Sequence, residues 1–66
     1  MSINLLPNLD DADGAYADLI SVHKSRSEAD SNALNARLIL ILMNHIGERA
    51  ILREALTLAA SGLAGP

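Results

Sequence analysis

The sequence predicts an all-α fold, a small domain of three helices. Three observations predict it. Apolar residues recur at helical spacing in three successive segments. Ser and Asp residues stand where helix N-termini need caps. Gly47 separates the last two segments with almost no loop.

The first helix begins near Asp10 or Asp11, whose carboxylates can cap the helix and complement its dipole. Tyr16, Leu19, Ile20 and His23 then follow the i, i+3, i+4, i+7 pattern, with Ala12 on the same stripe. Gly14 weakens the first turn by about 1 kcal/mol relative to Ala. The polar run Ser25-Arg26-Ser27 breaks the pattern, and two capping boxes compete there. Ser27 pairs with Asp30, and Ser25 pairs with Glu28, which is the better residue for the third helical position.

The second helix runs from Ser27 to Ile46, with Gly47 as a left-handed stop. At 100° per residue, Leu34, Leu38, Ile39, Ile41, Leu42, Met43 and Ile46 cover an arc of about 200°. A surface helix needs an apolar stripe only about 100° wide. The second helix is therefore expected to be central and covered on more than one side. The third helix runs from Glu48 to about Ala60. It buries Ile51, Leu52, Ala55, Leu56, Leu58 and Ala59, and it turns Arg49, Arg53, Glu54 and Thr57 outward. With so short a loop, helices two and three form a tight αα-hairpin or corner. Residues 1–9, carrying Ile3, Leu5, Leu6 and Leu9, are too apolar for an idle tail. They are expected to lie as an extended arm in a groove of this chain or of another. The helical domain spans 10–61, and 62–66 is expected to fray.

The 66 residues hold one domain at most. Surface scaling gives roughly 4,000 Å² exposed when folded, so a chain of this size is marginal on its own core. The usual remedies are disulfides, a metal or a partner. There is no cysteine, and no pair of ligands stands at a metal-binding spacing. Association is the remedy left. The first seven residues have no basic run and no long apolar stretch, so a secretory signal is not expected. The longest purely apolar run, Leu38 to Met43, is far too short to span a bilayer. The expectation is a cytoplasmic protein without membrane contact.

Charge excludes more. Residues 1–30 carry six acids and two bases, and residues 31–66 carry three bases and two acids. Three short helices invite a helix-turn-helix reading. The chain is acidic overall, however, and DNA binding calls for a basic face, so no nucleic-acid partner is expected. Asp30-Ser31-Asn32 resembles the modification motif of acyl carrier proteins by position. Yet no acid occurs between Asp30 and Glu48, where a carrier domain keeps its helix strongly acidic, so cap chemistry is the simpler account. There is no phosphate loop, no nucleophile elbow and no dinucleotide fingerprint, and three short helices rarely enclose a pocket. Catalysis and cofactor binding by this chain are not expected.

Three polar residues stand in apolar places. Asn35 and His45 project into the arc of helix two, and His23 sits on the stripe of helix one. A buried polar group left unpaired costs about 1–3 kcal/mol. The plain expectation is that Asn35 bonds a backbone carbonyl, Tyr16 or a neighbouring chain, and that His45 caps the helix end beside Gly47. The functional alternative is a polar contact at a protein interface, or a pH-sensitive one. Ten residues, about 15 Å, separate Asn35 from His45, so one small ligand would not touch both.

The stretch Ser27 to Leu40, then Asn44-His45-Ile46-Gly47-Glu48, then Leu52-Arg53-Glu54-Ala55-Leu56, resembles a family of very short bacterial proteins, domain of unknown function 2783. Its signature is Leu-Asn-Ala-Arg-Leu followed by Asn-His-Ile-Gly, which stand here at Leu34–Leu38 and Asn44–Gly47. The segment Tyr16 to His23 is similar to the family's aromatic-x-x-Leu-Ile pattern. The resemblance implies no activity. Members are encoded beside flavin-dependent oxidoreductases of aromatic-compound breakdown, which implies an accessory or stabilising partner of such an enzyme.

The expected function is thus a non-catalytic helical interaction module, either a homo-oligomer or a subunit on a larger enzyme. The interface candidates are Leu34, Asn35, Leu38, Ile41, Leu42, His45, Tyr16 and His23. The alternative is a small regulatory or ligand-binding module using the region of Asn35 and His45.

Overall fold

Local capping chemistry sets where the first two helices begin. In the computed structural model, which describes residues 2–63, the chain forms α1 (Ala12–His23), α2 (Glu28–Ile46) and α3 (Arg49–Ala60). No strand occurs among the described residues. Asp11 caps α1: its Oδ1 accepts from the Gly14 N–H at 3.1 Å while its backbone takes the left-handed region, φ 46°. This gives Gly14 a reason that helix propensity does not supply. A Cβ at Gly14 would collide with the Asp11 carboxylate, so the glycine makes room for the cap.

Ser27 caps α2, its Oγ accepting from the Asp30 N–H at 3.1 Å. The competing Ser25 lies in the connecting turn with φ 65° and is not the cap. That turn is tied by backbone bonds from Lys24 N–H to the Ser21 carbonyl and from Arg26 N–H to the His23 carbonyl. At the other end of α2, Gly47 adopts φ 76° and ψ −11°, and its N–H donates to the Met43 carbonyl at 2.9 Å. α3 follows directly, with Glu48 as its N-cap residue and no side-chain capping bond.

α2 and α3 pack across the Gly47 corner. Ile39, Leu42, Met43 and Ile46 of α2 meet Leu52, Ala55 and Leu56 of α3 around one shared apolar pocket. Met43, Ile51, Leu52 and Ala55 are half-buried there. The arm returns to α3. The Ile3 N–H donates to Glu54 Oε2 at 3.1 Å, and Ile3 and Leu5 share an open pocket with Ala50, Arg53, Glu54, Thr57 and Leu58. The face of α3 carrying Arg53, Glu54 and Thr57, assigned to solvent from sequence, is therefore where the arm lies. Leu5, Leu6 and Leu9 stay exposed. Of the segment 62–66, residues from 64 onward lie outside the described residues.

The width of the apolar arc predicts cover for α2 on more than one side, and the chain alone supplies it only in part. Leu34, Leu38 and Met43 are half-buried, whereas Ile39, Leu40, Ile41, Leu42 and Ile46 are exposed. Leu42 keeps 49% of its surface and Ile41 65%. No residue among those described is buried. The α3 stripe fares similarly, since Leu56 and Leu58 are exposed. The reason is geometric. Each short helix touches α2 near one end, so neither covers its length.

Gly47 provides a clean test of the corner. A Cβ there would meet only the Asn44 carbonyl, at 3.8 Å, so the cost of Gly47→Ala is conformational, about 1–2 kcal/mol. Gly47→Val should cost more. Thermal unfolding followed by circular dichroism measures both, and a neutral Gly47→Val would mean that the left-handed corner is not required. Gly14→Ala should come out near neutral, because the gain in propensity of about 1 kcal/mol is offset by loss of the Asp11 cap, worth a similar amount.

Candidate functional site

The connection between α1 and α2 brings two kinds of group together. The first is polar. His23, the last residue of α1, reaches across to the opening turns of α2. Its Nδ1 lies 3.0 Å from Ser31 Oγ and its Nε2 lies 3.0 Å from Asn35 Oδ1. Ser31 and Asn35 are four residues apart and so share one face of α2. With the amide oxygen toward the ring, Nε2 carries the proton and donates to Asn35, while Nδ1 accepts from the Ser31 hydroxyl. This tautomer is assigned from the network. His23 and Ser31 are half-buried, and Asn35 is exposed at its rim.

The second group is apolar. Beside the bridge an open groove runs along α2, lined by Ala33, Leu34, Leu38 and Ile41. Val22 closes one end, and the polar edges are Arg26, Asp30 and Arg37. The Arg26 guanidinium also donates to the Val22 carbonyl, an otherwise free acceptor at the end of α1. The groove thus has apolar walls and a partly basic edge.

Of the sequence candidates, the structure gathers His23, Asn35, Leu34, Leu38 and Ile41 around this junction. Leu42 belongs to the opposite face, against α3. Tyr16 lies on α1 with 65% of its surface exposed, and Asn35 bonds His23 rather than Tyr16 or a carbonyl. His45 is exposed in the last turn of α2, where the hydrogen bond that closes the helix comes from the Gly47 backbone. Asn35 and His45 do not converge on a common pocket. Ser31 was missed from sequence as a partner, although a signal existed: it stands four residues before Asn35, on the face that His23 must meet at the end of the α1 stripe. Val22 and Arg26 carried no comparable signal.

Chemically, the bridge fastens two helices. Both nitrogens of His23 are engaged, so the imidazole would have to break a contact before binding anything else. Among the described residues no group of three or more His, Cys, Asp or Glu side chains is placed to hold a metal ion. Among the described residues no helix is long and apolar enough to cross a membrane.

Residues 3–61 match the family model described as Protein of unknown function (DUF2783). The chain belongs to this family. Searches of curated proteins and of solved structures found no match. The family match spans the three helices, the bridge and the groove together.

The bridge makes a definite prediction. Because Asn35 is satisfied within its own chain, Asn35→Leu should destabilise by about 1 kcal/mol, as loss of a part-exposed hydrogen bond does, and leave the oligomeric state unchanged. A double-mutant cycle of His23→Ala with Asn35→Ala should show coupling of about 0.5 kcal/mol or more. Urea unfolding measures both quantities. A higher midpoint for Asn35→Leu would show that Asn35 is not held by His23 in solution.

Proposed function

We propose that this chain is a helical protein-interaction module, acting as an accessory or stabilising subunit whose own core is completed by the surface it binds. One observation carries the reading. The chain exposes 6013 Å², whereas a compact protein of its mass exposes roughly 4,000 Å². The radius of gyration agrees at 13.8 Å, against about 11 Å for a compact domain of this length. The excess is apolar in large part. Leu19, Ile20, Ile39, Ile41, Leu42, Ile46, Leu56 and Leu58 are all exposed on ordered helices. Exposed apolar side chains on this scale support an interaction role.

The larger partner that the family resemblance implies is a flavin-dependent oxidoreductase of aromatic catabolism. In that complex this chain supplies apolar helix faces and no chemistry. The test is to co-express the chain with that enzyme from its native host and measure the enzyme's half-life at elevated temperature with and without it. The expected result is co-purification at fixed stoichiometry and a longer half-life. An enzyme that neither binds the chain nor changes its half-life would remove the accessory-subunit reading.

A second outcome follows from the same surface. Leu42→Ala in the isolated chain should cost about 1–2 kcal/mol, less than the 2–5 kcal/mol typical of a buried leucine, because half of Leu42 is already exposed. In a complex that covers α2 the cost should rise toward the buried value. Denaturation of free and complexed protein distinguishes the two.

A further inference from the structure

We propose that the occupant of the groove between α1 and α2 is α1 of a second copy of this chain, exchanged reciprocally so that the α1–α2 pairs of two copies form a four-helix unit. The proposal rests on the interaction-module reading and names the partner at one of its surfaces.

Complementary shape and charge single out this occupant. The groove is walled by Val22, Leu34, Leu38 and Ile41, and its edge carries Arg26, Arg37 and Asp30, a net positive charge. Its complement is an amphipathic helix with a narrow apolar stripe and an acidic border. α1 is such a helix. Tyr16, Leu19 and Ile20 lie within about 60° of His23 around the axis, so the stripe continues the face by which α1 meets α2. Beyond that meeting point Tyr16 and Ile20 are exposed. Asp13 lies beside Ile20 on the stripe's border, about 20° away. From Asp10 to Asp18 the segment has four acids and no base. Each copy therefore carries both an acidic helix and a groove whose edge, with two arginines and Asp30, is net basic. In a two-fold dimer a contact made once is made twice, so both are satisfied together.

The area agrees. An excess of about 2,000 Å² over the whole chain exceeds the roughly 800 Å² that a standard interface takes from each partner, so part of it suffices for this contact. Seating α1 in the groove leaves the α3 side of α2 untouched. That face stays open to a larger enzyme, so self-association and accessory binding are compatible.

Sedimentation equilibrium of the full chain from about 1 to 100 µM tests the proposal. The expected result is a dimer that weakens about tenfold or more with Arg37→Glu or with Asp13→Arg, and that recovers when the two reversals are combined. Circular dichroism confirms that each variant keeps its helices. A second readout does not depend on affinity. The chain has no cysteine, so in an oxidised mixture of the single variants Ile20→Cys and Ile41→Cys every disulfide joins two copies, and the mixed pair should dominate. A wild-type chain that stays monomeric at about 100 µM overturns the proposal. So does a dimer indifferent to both charge reversals, or one that cross-links only like with like. A monomer that still co-purifies with the oxidoreductase overturns the self-docking and keeps the interaction-module reading. A monomer that binds no enzyme ends both.

Discussion

Helix α2 is apolar around more than half its circumference, and no single neighbour covers an arc that wide. Everything else in the structure follows from how that arc is shared. α3 takes one side at the C-terminal end, through Ile39, Leu42, Met43 and Ile46. α1 approaches the N-terminal end and touches mainly at its own last turn, through His23. The short helices diverge from α2 along most of their length, and the middle of the arc, around Ile41, is left to solvent. A 66-residue chain has too little surface of its own to close such a helix, because the fraction buried falls with size. On the proposed reading, the remaining cover comes from another polypeptide surface.

The His23 bridge matters because apolar contact is non-directional. Two helices joined by a short turn and packed on few apolar residues can rotate or slide with little cost. Hydrogen bonds to both ring nitrogens fix which face of α1 meets which turn of α2. The network adds little free energy, since it sits at a half-exposed rim. Its effect is on geometry. It sets the mouth of the groove beside it, between Val22 on one helix and Leu34 and Leu38 on the other.

The helices were legible in the sequence because their ends are set locally. Asp11, Ser27 and Gly47 act on backbone groups within a few residues of themselves, and such signals survive without tertiary context. The choice of Ser27 over Ser25 shows where local reading fails. Both fit a capping box, and the structure uses Ser27, whose hydroxyl accepts from the Asp30 N–H, while Ser25 lies in the connecting turn. Partners separated in the chain were harder to read. Asn35 and His23 were each marked as polar residues on apolar stripes. Their pairing depended on how α1 docks, which no local pattern encodes. The arm was anticipated as apolar and in need of a groove, yet its seat on the face bearing Glu54 contradicts the amphipathic pattern of α3. The Ile3 backbone bond to that carboxylate accounts for it, together with Ala50 and Leu58 beside Ile3 and Leu5.

The division between local and tertiary information bears on how the molecule works. Each helix carries much of its own instruction: Asp11 and Ser27 cap α1 and α2, Glu48 opens α3 without a side-chain cap, and α2 is long enough at 19 residues to be partly stable by itself. What the isolated chain lacks is a shared core, since no described residue is buried. On the proposed reading, a partner contributes the burial that fixes the helices relative to one another, and α2 has the most structure in place beforehand. Such a chain gives up less conformational entropy on binding than a disordered segment does. On the proposed reading it still draws stability from the surface it meets, and its apparent stability would then depend on partner concentration by mass action, because the surface it lends its partner is the same one it needs to complete itself.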